Sequence, residues 1–552
     1  MSARRVRAGR HRGIGRSWPL ALLCALGCAP ARSATPDAAV RRDVVSSRDA
    51  APAEPACDPA PRCPTAPPED LTPLDAVPQF ARLQEILRGK DESVDVAEVS
   101  LRMSQLLDDE LEPAADLARL DAMAAEFRRA LPRACVGRCA LRALVRMFLG
   151  RWRFRAVVDP NGLYVDARYD LLHDVLASRE GYCEGLSVAF LAVGQRAGLP
   201  LRGVLSRQHV YVRYDGADGV VDVDLTREGR APEADAPLPR CAPRPGVYGR
   251  ALGGREMAAQ VVSVVGILDG IESRRAWIDL AVQLAPNDPD LRNNRGADRE
   301  ARYDFEGAAA DYRAAAGIDP CVAFYRVNLA GALRRAGRLD EAGAALDAVE
   351  RDARDGALED DALYVSLARA DLALARGDDA LAERYYLVAA RAAPEAPVPW
   401  ESLGRLRMLR GEHRGAAEAF LAAMEREPTA GQRLSLAEAL LRAGDPAWSR
   451  ELSRAERDDA DVEEVSWVRA LAAAAQGRPQ EARERALRCL ERLGPSCMEA
   501  TLVLGDAAAS ARCAAGWYAL SATCPLPPRD RERARVTSLA AERLRRLRRA
   551  PP

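Results

Sequence analysis

Apolar residues recur with a helical period over most of the chain, and one stretch departs from that pattern. From His209 the sequence HVYVRY alternates between polar and apolar residues, and after the turn-like DGADG the sequence VVDVDLT alternates again from Val221. A period of two is that of a β-strand with one buried face. The sequence therefore predicts two β-strands joined as a hairpin within a largely helical chain.

A helix is predicted shortly before this hairpin. Its apolar positions are spaced as one helical face, and the pattern ends at Gly198 with Pro200 just beyond. Cys183 opens the helix, so its sulfur lies at the helix N-terminus, where unpaired N–H groups and the helix dipole favour an anion. We therefore expect the pKa of this thiol to fall and its nucleophilic thiolate to be populated. The apolar face consists of Leu186, Ala189, Phe190, Val193 and Ala197.

The hairpin supplies groups that complement such a thiol. Alternation places His209 on one face of the first strand, while Asp222 and Asp224 share one face of the second. Pairing of the strands would bring a carboxylate beside the imidazole, although alternation does not choose between the two aspartates. A thiol, an imidazole and a carboxylate form the generalised triad for acyl transfer.

Three motifs in this region resemble a known family. The segments REGYCEGLS, GLPLRGV and HVYVRY are similar to the RxGxCxGLS, GLPxxGV and HxxVRY of a bacterial variant of the transglutaminase-like superfamily. The resemblance implies a papain-like α+β core over residues 75–255, with Cys183 as nucleophile and His209 as base. In that pattern an acidic residue just before a short threonine-containing segment closes the strand, which favours Asp224. The family's usual Pro-Gly before the histidine is Arg207-Gln208 here.

The C-terminal half is repetitive. Alanines recur at intervals of 34, 40 and 34 residues, at Ala308, Ala342, Ala382 and Ala416. The surrounding pattern resembles the tetratricopeptide repeat, in which small residues let two helices cross closely and an aromatic residue fills the space beside them. We expect five or six units over residues 256–545, stacked as an all-α superhelix whose groove binds a protein or peptide. The most complete unit has Trp400, Leu403, Gly404, Gly411, Ala416, Phe420, Ala423 and Pro428.

The N-terminus has the composition of an export signal. Residues 1–28 combine an arginine-rich start with the apolar run WPLALLCALG, which is too short to span a bilayer stably. The run ends in ALGCAP, which resembles a bacterial lipobox and implies lipidation of Cys28; cleavage after Ala31 or Ala34 is the alternative. Residues 29–74 are rich in proline and alanine and are predicted to be a disordered tether.

Charge and cysteine content narrow the functional classes. The 80 basic and 81 acidic residues balance, which argues against a nucleic-acid partner. Beyond the leader and Cys28 there are eleven cysteines. Eight of them fall into close pairs, as in proteins of oxidising compartments, and Cys183, Cys241 and Cys321 are left over. Neither metal-ligand spacing nor a phosphate-binding loop is present, so we predict no metal and no cofactor. The close pairs are Cys57 with Cys63, Cys135 with Cys139, Cys489 with Cys497 and Cys513 with Cys524.

Together these features predict an exported cysteine enzyme on the periplasmic side of a bacterial envelope, attached to the membrane only through lipid on Cys28. The predicted reaction is acyl transfer or hydrolysis at an amide bond of a protein or peptide held by the repeats. The sequence does not separate a peptidase from a deamidase or a transglutaminase. The alternative is an envelope lipoprotein scaffold without catalytic activity, in which core and repeats bind other proteins.

Overall fold

The computed structural model describes residues 80–106, 108, 110–157, 167–207, 209–231, 241–266, 274–354, 362–458, 462–493 and 504. The predicted export signal, the tether and Cys28 lie outside these residues. So do five cysteines of the predicted close pairs: Cys57, Cys63, Cys497, Cys513 and Cys524. Among the helices described, none combines the length and apolar composition needed to cross a bilayer.

The described residues fall into two compact units. The first consists of those within Asp70–Leu329 and Asp352–Glu359, and the second of those within Ala330–Arg351 and beyond Asp360.

In the first unit, several helices surround one buried helix, α6 (Cys183–Arg196). Helix α6 is apolar on nearly all sides, and its residues Gly185 to Gly194 are all buried. Because a helix without a polar face must be covered all round, the other helices and a small sheet pack against it. The helices are α1 Phe80–Arg88, α2 Val96–Ser104, α3 Pro113–Ala130, α4 Arg138–Arg146, α5 Leu172–Ser178, α6 Cys183–Arg196 and α7 Gly254–Gly266, with short helical turns at Asp91–Ser93, Met147–Arg151, Ala167–Asp170 and Leu225–Arg227.

Two small sheets complete this α+β core. Strands β1 (Arg155–Ala156) and β2 (Glu180–Gly181) pair in parallel. Strands β3 (Leu201–Ser206), β4 (His209–Gly216) and β5 (Gly219–Val223) form an antiparallel sheet in the order β3-β4-β5. The predicted hairpin is β4 with β5. Its turn closes at Gly219, whose φ of 115° is a backbone conformation that favours glycine.

The first unit continues beyond the α+β core into helices α8 (Arg274–Leu284), α9 (Pro289–Ala301), α10 (Phe305–Ile318) and the beginning of α11 (Ala323–Arg335). One hydrophobic cluster includes buried residues from Phe80 on α1 to Leu291 on α9. Within it, Trp277 is fully buried and packs edge-on against Phe80, with the two ring centroids 5.8 Å apart. The first helices of the repeat region therefore share the hydrophobic core of the sheet and its helices.

Disulfides correct part of the cysteine assignment. Cys135 and Cys139 are bonded to each other, as their proximity predicts. Cys241 and Cys321, which the sequence leaves over, form a second disulfide across 80 residues of chain. Proximity along the sequence could not identify this pair, because the fold brings the two residues to a Cα–Cα distance of 5.5 Å.

Helix pairs with the predicted repeat packing follow one another along the chain. A Cβ added to Gly296 would lie 2.7 Å from the ring of Tyr312, and one added to Gly404 would lie 2.7 Å from the ring of Phe420. In both places glycine lets an aromatic ring from the next helix approach the backbone. The all-α repeat architecture predicted from the sequence is thereby confirmed. After α11 the helices are α12 Leu339–Arg354, α13 Ala362–Arg376, α14 Asp379–Ala392, α15 Val398–Arg410, α16 His413–Arg426, α17 Ala430–Arg442, α18 Trp448–Arg457, α19 Val462–Ala475 and α20 Pro479–Leu493.

Candidate active site

The site begins with the thiol of Cys183 at the first residue of α6. The preceding Tyr182 is extended, and its N–H donates to the carbonyl of Tyr169 at 3.0 Å. Gly185 permits this close approach, because a Cβ there would lie 2.2 Å from the same carbonyl oxygen. Cys183 is not part of a disulfide, and the residue is 9% exposed. The local sequence thus fixes a reduced sulfur at a helix N-terminus.

The base predicted from the sequence meets its carboxylate. His209 is the first residue of β4, and its Nε2 lies 2.9 Å from Oδ2 of Asp224. Asp224 is almost fully buried, and its other oxygen accepts hydrogen bonds from the Thr226 N–H at 2.9 Å and the Thr226 hydroxyl at 2.6 Å. These bonds orient the carboxylate toward the imidazole, leaving Nδ1 as the imidazole nitrogen available to a second partner.

That second partner is the sulfur. The side chains of His209 and Cys183 are joined by a hydrogen bond. The strand and the helix are also linked directly, since the Ser187 hydroxyl donates to the carbonyl of Val210 at 3.3 Å. The fold therefore brings Cys183, His209 and Asp224 together in one chain of contacts.

The electrostatics favour a protonated imidazole. Burial lowers the pKa of His209, but the hydrogen bonds to Asp224 and Cys183 outweigh it and raise the pKa to about 10. Burial likewise opposes ionisation of Asp224, yet the hydrogen bonds from His209 and Thr226 leave the pKa of its carboxyl below its ordinary value. His209 is thus held as an imidazolium between the Asp224 carboxylate and the Cys183 sulfur.

The other aspartate of the β5 pattern has a different partner. Arg213 and Asp222 lie opposite each other in the pairing of β4 with β5, and the guanidinium donates to both carboxylate oxygens at 2.6 and 2.8 Å. Because its two oxygens are engaged by one arginine, Asp222 makes an ion pair within the sheet. Of the two candidates, Asp224 is the one that contacts the imidazole.

Two acidic side chains that the sequence analysis did not select lie at the same helix N-terminus. Oδ1 of Asp170 accepts a hydrogen bond from the Gly185 N–H at 3.4 Å, and burial raises the pKa of Asp170 to about 7. Burial, together with the neighbouring charges of Asp170 and Cys183, also raises the pKa of Glu184 well above its ordinary value. Both carboxyls thus keep their protons to higher pH than ordinary acidic side chains, which reduces the negative charge beside the sulfur. The position of Glu184 directly after Cys183 was the available sequence signal for this pair.

The remaining histidines described have other surroundings. Nδ1 of His173, on α5, lies 2.6 Å from Oδ2 of Asp116. His413 is the first residue of α16, in the second unit. The contact with Cys183 therefore distinguishes His209 from both.

Comparisons with known proteins agree with the core assignment. Residues 115–236 match the family model of the transglutaminase-like superfamily. A UPF0162 protein of Xylella fastidiosa (strain Temecula1 / ATCC 700964) is 31% identical over 150 residues, which are 24% of this chain and 52% of that protein. The chain thus spans about half the length of the curated relative it matches.

Two solved structures are similar to part of this chain. The structure described as the functional characterization of Pseudomonas aeruginosa pilF is 18% identical, covers 38% of this chain and 92% of its own, and gives a TM-score of 0.30. A tetratricopeptide repeat protein from Parabacteroides merdae ATCC 43184 is 13% identical, covers 42% of this chain and 91% of its own, and gives a TM-score of 0.33. At these scores neither likeness bears on function.

Proposed function

With residues 115–236 forming a transglutaminase-like domain, we propose that this protein is an exported cysteine enzyme that transfers or hydrolyses the acyl group of an amide in a protein or peptide. The observation that carries the proposal is the position of His209, whose imidazole contacts both Asp224 and the thiol of Cys183. This is the arrangement in which a thiol becomes a nucleophile and an imidazole moves its proton.

The proposed reaction has two halves. The thiolate of Cys183 attacks the amide carbonyl while the imidazolium of His209 holds the proton, and the carboxylate of Asp224 fixes the ring. Collapse of the tetrahedral intermediate breaks the C–N bond, and His209 gives its proton to the departing amine, leaving a thioester on Cys183. Water or a second amine then loses a proton to His209 and attacks the thioester, which releases the acyl group and restores the Cys183 thiolate and the His209 imidazolium.

The repeats are proposed to hold the substrate. Arrays of this kind form an extended groove because each helix pair rotates slightly with respect to the next. A protein or peptide chain is the ligand that such a groove fits. Nothing in this proposal requires a cofactor, nucleic acid or metal.

Export and anchoring are proposed from the leader alone. The arginine-rich start, the short apolar run and the junction of Gly27 with Cys28 support cleavage before Cys28 and lipidation of its thiol. Mass spectrometry of the mature N-terminus in the native host tests this. A peptide beginning directly after Ala31 or Ala34 would reject the lipid anchor.

Catalysis is tested with an amide-mimicking, thiol-directed acyl probe and mass spectrometry of the modified peptide. We expect wild-type protein to carry the acyl group on Cys183 and Cys183→Ala to carry none there. Cys183→Ser, which keeps nearly the same volume, is the control for folding.

One observation favours the competing scaffold function: the Cys183 residue is only 9% exposed. The side chain of His209, which contacts the sulfur, is 25% exposed. If the probe labels Cys183 no faster than it labels the thiols of the unfolded chain, the scaffold function replaces the enzyme.

A further inference from the structure

The first complete helix pair consists of α9 and α10. The residues at the C-terminal end of α10 are bonded to the α+β core near the candidate site. The disulfide between Cys241 and Cys321 joins the segment after the sheet to the residues that follow α10. Next to it, the N–H of Arg244 donates to the carbonyl of Ile318 at 2.8 Å, and its guanidinium donates to the carbonyl of Gly317 at 3.2 Å. Residues 317–321 are therefore held in place by a covalent bond and two hydrogen bonds.

An ion pair at this junction reaches the loop that precedes β4. Nε of Arg207 donates to Oδ2 of Asp319 at 2.9 Å, and the Asp319 side chain is fully buried. The other carboxylate oxygen accepts the N–H of Cys321 at 3.0 Å. A buried carboxylate of this kind requires its cation, because removing one partner leaves an uncompensated charge.

Arg207 directly follows the end of β3 and lies two residues before the candidate base. Ser206 pairs with His209 in the antiparallel register, and its hydroxyl donates to the His209 carbonyl at 3.3 Å. The segment anchored by Cys241 also supports β3, since the Gly249 N–H donates to the Leu205 carbonyl at 2.9 Å. The position of the imidazole is thus connected, through Ser206 and Arg207, to Asp319 in the repeat region.

We propose that Asp319 is a positioning residue of the candidate active site, which acts through Arg207 to hold the start of β4 where His209 meets the sulfur of Cys183. The inference rests on the proposed function. With this role for Asp319, the first repeat contributes to the active site, because its carboxylate holds the loop that contains Arg207. The inference also gives the unexpected Arg207, found where the family has Pro-Gly, a specific role.

The test compares two buried carboxylates of the same repeat in the full-length protein. Asp311 lies on α10, and its oxygens accept hydrogen bonds from Arg295 at 2.7 and 2.8 Å. The variants Asp319→Asn and Asp311→Asn each remove one buried charge from an ion pair. The measurement is the rate of iodoacetamide alkylation of Cys183, followed by mass spectrometry between pH 5 and 9, with the unfolding midpoint of each variant recorded.

We expect Asp319→Asn to slow alkylation at pH 7 by about tenfold to a hundredfold, the effect of a small misplacement of a catalytic group, and to change the shape of the pH profile. Asp311→Asn should leave rate and profile unchanged even where it lowers the unfolding midpoint. Arg207→Lys keeps the positive charge and should retain more of the rate than Arg207→Ala. It also provides the test if Asp319→Asn does not fold.

Unchanged alkylation in Asp319→Asn, or equal slowing in both aspartate variants, would overturn the positioning role. The first outcome would show that the loop needs no support from the repeat, and the second that the carboxylate only stabilises the fold. A failure of the proposed function looks different, since His209→Ala would then alkylate as fast as wild type. If the alkylation rate depends on His209 but not on Asp319, the proposed enzyme function is retained and only the positioning role of Asp319 is rejected.

Discussion

Arg213 and Asp222 lie opposite each other in the β4–β5 pair, and their two hydrogen bonds of 2.6 and 2.8 Å occupy both carboxylate oxygens. The strand register thereby separates two aspartates that alternation placed on the same face. Asp224 lies beyond the last paired residue of β5, where the chain turns into the Leu225–Arg227 helical turn and its carboxylate meets His209.

The first prediction compares these aspartates. Asp224→Asn should slow alkylation of Cys183 at pH 7 by about tenfold or more, because a neutral amide no longer stabilises the imidazolium or fixes its tautomer. Asp222→Asn should lower stability slightly, by about 1 kcal/mol or less for a partly exposed ion pair, and leave the alkylation rate near that of wild type. Greater sensitivity at Asp222 would exchange the roles of the two residues.

The second prediction concerns the protonation of His209. Its pKa of about 10 lies above the ordinary value of 6.5, so the ring should remain doubly protonated at pH 8. Nitrogen NMR of the histidine side chains measures this directly, and in Asp224→Asn the same ring should titrate at lower pH. An imidazole that is neutral at pH 8 in the wild type would contradict the ion-pair description.

The same shift has a consequence for stability. Because the folded pKa is raised, protonated His209 stabilises the fold fully below about pH 6.5, and the contribution is lost as pH rises through about 10. The unfolding midpoint of wild type should therefore fall more steeply between pH 7 and 10 than that of His209→Gln.

The third prediction concerns the two disulfides. Cys241→Ser together with Cys321→Ser should lower the free energy of unfolding by about 2–5 kcal/mol, because this bond closes a long loop. Its sequence separation is 80 residues, against 4 for Cys135 with Cys139. Cys135→Ser with Cys139→Ser should therefore have a smaller effect in the same denaturant titration. Equal effects would mean that loop length does not determine the contribution.

The fourth prediction concerns repeat packing. Gly404→Ala places a methyl group 2.7 Å from the ring of Phe420 and should destabilise the second unit by about 1–3 kcal/mol. Gly431, on α17, has no atom within 4 Å of an added Cβ. Gly431→Ala should therefore be stabilising by about 0.5–1 kcal/mol, through helix propensity alone. Thermal unfolding followed by circular dichroism distinguishes a lowered unfolding midpoint from a raised one. A raised midpoint for Gly404→Ala would contradict the close helix crossing.

The sequence by itself determined the elements and their order. The change from a helical period to alternation located the hairpin, Cys183 was placed at the start of a helix by the apolar face that follows it, and the spacing of Ala308, Ala342, Ala382 and Ala416 identified the repeats. These inferences succeed because periodicity and local turn chemistry depend on residues close together in the chain.

Only the tertiary structure decided which distant groups meet. Strand register paired Asp222 with Arg213, and the turn after β5 brought the carboxylate of Asp224 to His209. Burial raised the pKa values of Asp170 and Glu184 beside the sulfur. The disulfide between Cys241 and Cys321 and the ion pair between Arg207 and Asp319 likewise depend on packing of the first repeat against the core. Such contacts join residues separated by 80 and 112 positions. No local sequence pattern predicts them, because each follows from how whole helices and strands bury their apolar faces.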